Sequence, residues 1–195
     1  MDYSKLVPHI IDRLTKHHEL YSGQCKAELW EENCAYALRQ AGYGSDWAPD
    51  FNHAPGVDQS TDESVKVSNK GGSIKDGVIE ISGSRLTKHA TLKDKIDDIS
   101  DHKEDYIFCL ATDKKEWDRG IRRYYFVVID SSLLDYNNHE WIETLGQRGN
   151  KKGKCVGWQM STDGYSAKIV KSMSHQLWNT IDLSIAEFVY DFVIG

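Results

Sequence analysis

Two apolar runs of strand length are the feature that most constrains how this chain can fold. They are "DYIFCLAT", residues 105–112, and "RYYFVVID", residues 123–130. A strand with one face in water alternates apolar and polar residues, whereas a nearly continuous apolar run of this length is typical of a strand buried on both faces. The two runs therefore predict central strands of a sheet that is covered by other elements on each side.

Helical periodicity supplies elements that can cover such a sheet. Residues 3–20 and residues 24–41 both repeat apolar side chains every three or four positions. In the second segment Trp30, Cys34 and Leu38 form one stripe, which is the pattern of a helix packed on a core. A further helix is expected near residues 91–100.

The rest of the chain predicts shorter elements. Strands are expected near residues 56–60, 64–69, 78–82 and 165–171, with a turn in "SNKGGSIKDG". A hairpin is expected to join "EWIETLG" to "CVGWQM" through residues 148–154. The last segment, "SHQLWNTIDLSIAEFVYDFV", is expected to form a closing helix that begins near Ser174.

The order of these elements predicts the fold class and the number of domains. Helix, helix, a strand cluster, helix and further strands indicate an α/β or α+β fold, with a central mixed β-sheet flanked by helices. At 195 residues, with no internal repeat and no Pro-, Gly- or Ser-rich linker, the chain is expected to form a single domain.

Composition excludes several classes of protein. No apolar run reaches the roughly 20 residues of a membrane span, and the N-terminus lacks the pattern of a signal peptide, so a cytoplasmic protein is expected. The four cysteines make no CxxC pair, which argues against structural zinc, and Cys34 and Cys109 are expected to be reduced core residues. Serine-hydrolase GxSxG and phosphate-binding P-loop motifs are also missing.

The net charge of −6 argues mildly against a nucleic-acid partner, but binding to DNA needs only local basicity. Two segments are locally basic. They are "SGSRLTKHATLKDK", residues 82–95, and "GQRGNKKGKCVGWQM", residues 146–160. Each is compatible with a solvated loop or with a DNA contact.

A lysine between two valines raises a question of chemistry. If Val65 and Val67 face the core, Ser64 and Lys66 share the opposite face. A hairpin with the preceding strand is expected to place Asp58 beside them. A carboxylate, a hydroxyl and an ammonium group gathered in this way suit phosphodiester hydrolysis with a divalent cation.

The segment "PGVD…SVKVS" resembles the active-site hairpin of the PD-(D/E)xK nuclease superfamily, especially type II restriction endonucleases. The resemblance covers about residues 24–112, which it marks as the catalytic core of a single nuclease domain, 1–195. It implies that Asp58 ends one strand and that Ser64, Val65 and Lys66 occupy the acid-x-lysine triplet. Ser64 departs from the family, which usually has Asp or Glu there. A prokaryotic cytoplasmic enzyme with a restriction-endonuclease-like core is the implied identity.

The resemblance also implies a cofactor and its ligands. One or two Mg²⁺ ions would be held by Asp58, by Glu31 or Glu63, and by the Val65 carbonyl, with Ser64 contributing an oxygen. Lys66 would lie beside the attacking water, and the products would be a 5′-phosphate and a 3′-hydroxyl. Alternatives remain open for the second carboxylate. They are Asp62, and in the upstream helix Glu28 and Glu32.

Contacts to double-stranded DNA are expected from polar and basic side chains in three segments. They are Asn52, His53, Ser84, Arg85, Lys88, His89, Arg148, Lys151, Lys152, Lys154 and Gln159. Residues 140–171 form the candidate DNA-reading hairpin region. A palindromic target would call for a two-fold homodimer.

Two other functions stay open at this point. One is a nuclease of the same fold with a repair, nicking or junction-resolving role. The other is a non-catalytic DNA- or protein-binding domain, in which Asp58 and Lys66 form a structural ion pair.

Overall fold

The structure is a computed structural model that describes residues 1–48 and 56–195. Its helices are α1 (Val7–Leu20), α2 (Glu28–Gln40), α3 (Leu92–Ser100) and α4 (Lys114–Asp118). Its strands are β1 (Gln59–Ser60), β2 (Lys66–Lys75), β3 (Val78–Arg85), β4 (Tyr106–Thr112), β5 (Arg122–Asp130), β6 (Ile142–Leu145), β7 (Cys155–Ser161), β8 (Tyr165–Val170), β9 (Gln176–Asp182) and β10 (Phe188–Ile194).

The strands form one mixed sheet in the order β10-β5-β4-β2-β3-β9-β8-β7-β6, with β1 paired to β2. Strands β2 and β4 are parallel, and the other neighbours are antiparallel. The predicted fold class, a central mixed sheet flanked by helices, is confirmed at this level.

Strand β4 contributes to a hydrophobic core on each face of the sheet, as its continuous apolar run predicted. Phe108 and Leu110 pack in one core with side chains of α1 and α2. Ile107 and Cys109 point to the other face, where Ile99 of α3 joins the core. The predicted burial of this strand on both faces is confirmed.

Helix α2 is attached to the centre of the sheet by its apolar stripe. Trp30, Cys34 and Leu38 are fully or almost fully buried, and Trp30 Nε1 donates a hydrogen bond to the Phe108 carbonyl oxygen at 3.1 Å. Burial raises the pKa of the Cys34 thiol, and all four cysteines are free. The expectation of reduced core cysteines at positions 34 and 109 is therefore confirmed. No helix in the described ranges is long and apolar enough to cross a bilayer.

Two predicted elements were wrong. The closing segment is not a helix but two strands, β9 and β10, joined by a short 3₁₀ turn. In β9 the buried residues Leu177, Asn179 and Ile181 alternate with partly exposed ones, which is strand periodicity. The predicted turn "SNKGGSIKDG" is mostly the interior of β2, and only Asp76 and Gly77 make the turn.

The residues of the candidate site lie at one end of the sheet. We call it the cleft end: β2, β4, β7, β9 and β10 begin there, and β3, β5, β6 and β8 end there, as the strand pairings require.

Candidate active-site cleft

The hairpin predicted around Asp58 is present, but its register differs from the expectation. Gln59 pairs with Val67, and the Asp58 N–H donates to the Val67 carbonyl oxygen at 2.9 Å. This register places Asp58 level with Ser68. The predicted grouping of Asp58 with Ser64 and Lys66 is therefore wrong.

The reason lies in the turn between β1 and β2. Ser64 has a left-handed backbone with φ of +63° and donates its N–H to the Thr61 carbonyl oxygen, so it belongs to the turn and not to the strand. The strand begins two residues later, at Lys66. Lys66 pairs with Ser60 across the hairpin, and its side chain is exposed. Its backbone N–H donates a hydrogen bond to Asp105 Oδ2 at 2.8 Å.

The Asp58 carboxylate contacts three consecutive residues of β2. Its Oδ2 atom accepts hydrogen bonds from the Asn69 N–H at 2.5 Å and from Ser68 Oγ at 3.3 Å. Lys70 Nζ lies 3.6 Å from the same oxygen. Both charged side chains are mostly buried, with 19% of Asp58 and 28% of Lys70 exposed, so their attraction is screened less than that of a surface pair. A carboxylate, a hydroxyl and an ammonium group therefore do lie together, and they belong to Asp58, Ser68 and Lys70.

A cleft opens beside this cluster because β2 and β3 separate. The two strands pair only from Gly72 to Lys75 of β2, so the first half of β2 is free to pair with β1 instead. The resulting cleft has a volume of about 380 Å³, within the range of ligand sites. Six of its polar lining residues are Ser68, Lys70, Ser84, Arg85, Lys88 and Glu104.

Glu104 brings a carboxylate to the cleft, which Asp98 and Asp101 also line. Its Oε2 atom lies against Gly56, two residues before Asp58, at 3.4 Å from the position that a Cβ atom would take. Burial raises the pKa of Glu104, although the positive charges of His102 and Lys70 act in the opposite direction. The carboxylate is thus poorly solvated and would gain from a bound cation.

The donors present fit Mg²⁺ but not a metal cage made only of protein. In the described ranges, no three Asp, Glu, His or Cys side chains converge as a metal-binding group. Mg²⁺ commonly uses one or two carboxylates and fills its remaining positions with water and substrate phosphate. Asp58 and Glu104 supply two carboxylates, and Ser68 supplies a hydroxyl oxygen.

The other predicted metal ligands lie elsewhere in the hairpin and in α2. Glu63 is exposed in the β1–β2 turn. The Val65 carbonyl oxygen accepts the Thr61 N–H at 3.0 Å. Glu31 lies in the first turn of α2 and is half-buried.

The predicted DNA-binding residues of the first basic segment lie at the cleft. Ser84, Arg85 and Lys88 line it, whereas His89 does not. Lys88 Nζ lies 3.1 Å and His89 Nε2 3.2 Å from the Asp98 carboxylate. Burial acts to raise the pKa of Asp98, but the hydrogen bonds from these two side chains outweigh it and lower that pKa.

The second basic segment forms the loop of the predicted β6–β7 hairpin, which is confirmed as a hairpin. Its four basic residues are solvent-exposed, and Gln159 is exposed on β7. The four are Arg148, Lys151, Lys152 and Lys154. Asn52 and His53 lie outside the described residues, as does Pro55 of the proposed motif.

Sequence reasoning missed Ser68, Lys70 and Glu104. Ser68 and Lys70 have the same polar-x-lysine spacing as Ser64 and Lys66, four residues further on. The two glycines that follow Lys70 favour a turn, so the spacing alone does not single out this lysine. Glu104 lies in no recognisable motif, and only the tertiary structure brings it to the cleft. Comparison with models of protein families and with curated protein sequences finds no match for this chain.

Proposed function

We propose that this protein is a Mg²⁺-dependent, sequence-specific endonuclease that hydrolyses phosphodiester bonds of double-stranded DNA, in the manner of a type II restriction enzyme. The observation that carries the proposal is the contact of Asp58 with Ser68 and Lys70, two residues that line a cleft also lined by Glu104. The resemblance to the PD-(D/E)xK superfamily then rests on Asp58 and the triplet Ser68-Asn69-Lys70.

Each side chain has a role that its position supports. Two hydrogen bonds and the Lys70 ammonium group orient Asp58 through Oδ2, and in the described part of the chain no hydrogen bond ends on its Oδ1 atom, so that oxygen can bind a cation. Glu104 supplies the second carboxylate. Lys70 holds an ammonium group next to the attacked phosphate, where it can orient a water molecule and offset the negative charge that develops.

Mg²⁺ bound here would lower the pKa of a coordinated water and neutralise charge on the scissile phosphate. The protein groups would then position that water in line with the leaving oxygen. Departure of the 3′-oxygen leaves a 5′-phosphate on one product and a 3′-hydroxyl on the other, as in the family that the chain resembles. We place the enzyme in the prokaryotic cytoplasm and expect a homodimer for a palindromic target.

Lys70→Ala tests the assignment directly. Wild-type protein with plasmid or phage DNA and Mg²⁺ is expected to give discrete bands on a gel, and Lys70→Ala and Asp58→Asn should each cut at least about 100-fold more slowly. Lys75→Ala, at the far end of the same strand, is the matched control and should cut normally. Lys66→Ala distinguishes the two lysines of β2: loss of cutting in this variant together with normal cutting by Lys70→Ala would reject the structural assignment.

A non-catalytic DNA-binding domain is the second candidate, and one observation favours it. Two hydrogen bonds and an ion pair with Lys70 already satisfy Asp58 Oδ2, as expected of a purely structural ion pair. In that case the protein would bind DNA but leave it uncut under Mg²⁺ or Mn²⁺. The gel described above separates the two functions.

A further inference from the structure

The turn that joins β8 to β9, residues 171–175, lies at the cleft end beside the candidate site. Gln176 pairs with Val170 on one side and with Arg85 on the other. The Leu86 N–H also donates to the His175 carbonyl oxygen at 3.2 Å. The turn is therefore attached to the basic segment that lines the cleft.

The backbone of this turn is unusual. Ser174 and His175 are consecutive and both have left-handed φ angles, +58° and +51°. Neither is a glycine, so each adopts a conformation that L residues populate rarely. Strained backbone of this kind is concentrated at functional sites, where another constraint maintains it.

Lys171, at the start of the turn, is held in place without being neutralised. Its Nζ atom lies 4.4 Å from the centre of the Trp158 ring, in cation–π geometry. In the described residues no carboxylate lies within salt-bridge distance of it. An aromatic ring orients the ammonium group and leaves its charge available to an anionic ligand.

Two other basic side chains at the cleft end, those of Lys154 and Arg85, also form no salt bridge within the described residues. Lys154 immediately precedes β7, Lys171 follows β8, and Arg85 ends β3. Adjacent strands lie about 4.8 Å apart. Strands β7 and β8 are adjacent, whereas β9 lies between β8 and β3, so Arg85 is about two strand spacings from Lys171. Successive phosphates of one DNA strand are about 3.4 Å apart along the helix axis, so long side chains on these strand ends can contact nearby phosphates of one duplex.

We infer that Lys171, positioned by Trp158, is a phosphate contact for duplex DNA. With Lys154 and Arg85 it forms a basic row that guides the duplex backbone into the cleft. This inference rests on the proposed function, because it takes the same duplex as ligand. It assigns a role to a turn that neither the nuclease motif nor the two basic segments include.

Salt-dependent binding tests it. A fluorescent 30-bp duplex containing the cut site is titrated with full-length protein in EDTA, which prevents cutting, between 50 and 200 mM NaCl. Lys171→Gln should weaken binding roughly 5- to 10-fold at 100 mM NaCl and reduce the slope of log K against log[salt] by about 0.9, the value for one lost phosphate contact. Trp158→Leu should weaken binding less, because it removes only the aromatic ring that orients Lys171. Lys168→Gln is the control, because Lys168 lies within β8 and pairs with Glu80 at 3.3 Å.

The outcomes separate this inference from the nuclease proposal. Wild-type affinity and salt slope in Lys171→Gln, with a circular dichroism spectrum like the wild type, would overturn the inference while leaving the nuclease intact. Binding that depends on Lys171 without any cutting would support the inference and reject the nuclease. A wild-type protein that binds no duplex would overturn both.

Discussion

Lys70 is the residue on which the candidate chemistry depends most. Its ammonium group is 3.6 Å from Asp58, and its charge also acts on Glu104. Removing this mostly buried ammonium group takes away positive charge that compensates both carboxylates. Substitution of Lys70 is therefore expected to change both the shape of the cleft and the electrostatic potential inside it.

Glu104→Gln is expected to change how stability depends on pH. Burial raises the pKa of Glu104 in the folded state, so the folded state holds its proton more tightly than the unfolded chain, whose glutamates titrate near about 4.3. The resulting stabilisation is complete below the unfolded pKa and is lost as pH rises through the folded pKa. The difference in melting temperature, Glu104→Gln minus wild type, should thus increase between pH 4 and pH 7.

Thermal melts across that pH range provide the measurement. A difference that stays constant with pH would contradict a raised pKa at Glu104.

Added MgCl₂ is expected to raise the melting temperature of the wild type, because a ligand that binds the folded state stabilises it. The same addition should raise the melting temperature of Asp58→Asn less.

At the scale of elements, the β2–β3 hairpin decides where the cleft opens. Its turn is Asp76-Gly77, with φ angles of +52° and +78°, the left-handed pair that a tight hairpin requires. This turn sets the register in which Gly72 pairs with Ile81. The two strands then diverge towards the cleft end and make room for β1 and Asp58.

Gly77→Ala should lower the free energy of unfolding by about 1–2 kcal/mol, the cost of a left-handed conformation for an L residue. A Cβ atom at Gly77 would meet no atom within 4 Å, so the cost comes from the backbone alone. Urea unfolding measures it. Gly23→Ala is the matched control, since that position is equally open and lacks a positive φ; equal losses in both variants would refute this explanation.

The glycines in the middle of β2 favour a turn in the sequence pattern, but packing in the sheet gives one of them a different role. A Cβ atom on Gly72 would lie 2.8 Å from Cys109 Sγ, so glycine is required there by the close approach of β4. The helix predicted in place of β9 and β10 has a different cause. Leu177, Ile181 and Ile185 recur at every fourth position, which fits a helix as well as a strand, and only pairing with β3, β8 and β5 decides between them.

For the molecule as a whole, the distribution of charge makes the net charge of −6 compatible with the proposed DNA ligand. At the cleft end, β3, β7 and β8 carry the basic row of Arg85, Lys154 and Lys171. At the opposite end of the same group of strands the turns carry Asp76, Asp163 and Asp182, with Lys75 paired to Asp76 at 3.9 Å. Local basicity at one end is sufficient to attract phosphates.

Phe108→Ala tests whether the sheet unites the molecule into one folding unit. Phe108 is fully buried and contacts Tyr3 and Phe126 edge-on, at centroid distances of 5.9 and 5.6 Å. Its loss should cost about 3–5 kcal/mol. Because β4 belongs to the cores on both faces, tryptophan fluorescence and far-UV circular dichroism should shift together in urea.

Val193→Ala, at a side chain that is 50% exposed on β10, is the control and should change stability by no more than about 0.5 kcal/mol. Separate transitions for the two signals in Phe108→Ala would show that the two faces of the sheet unfold independently.

The sequence by itself determined the helices α1, α2 and α3, the doubly buried strand β4 and the β6–β7 hairpin. These features depend on local periodicity, which neighbouring residues already contain. Only the tertiary structure decided which lysine meets Asp58, that Glu104 joins the cleft, and that the last twenty residues form strands. Those outcomes depend on strand register and on contacts between residues far apart in sequence, and a shift of the β1–β2 pairing is enough to replace Lys66 by Lys70.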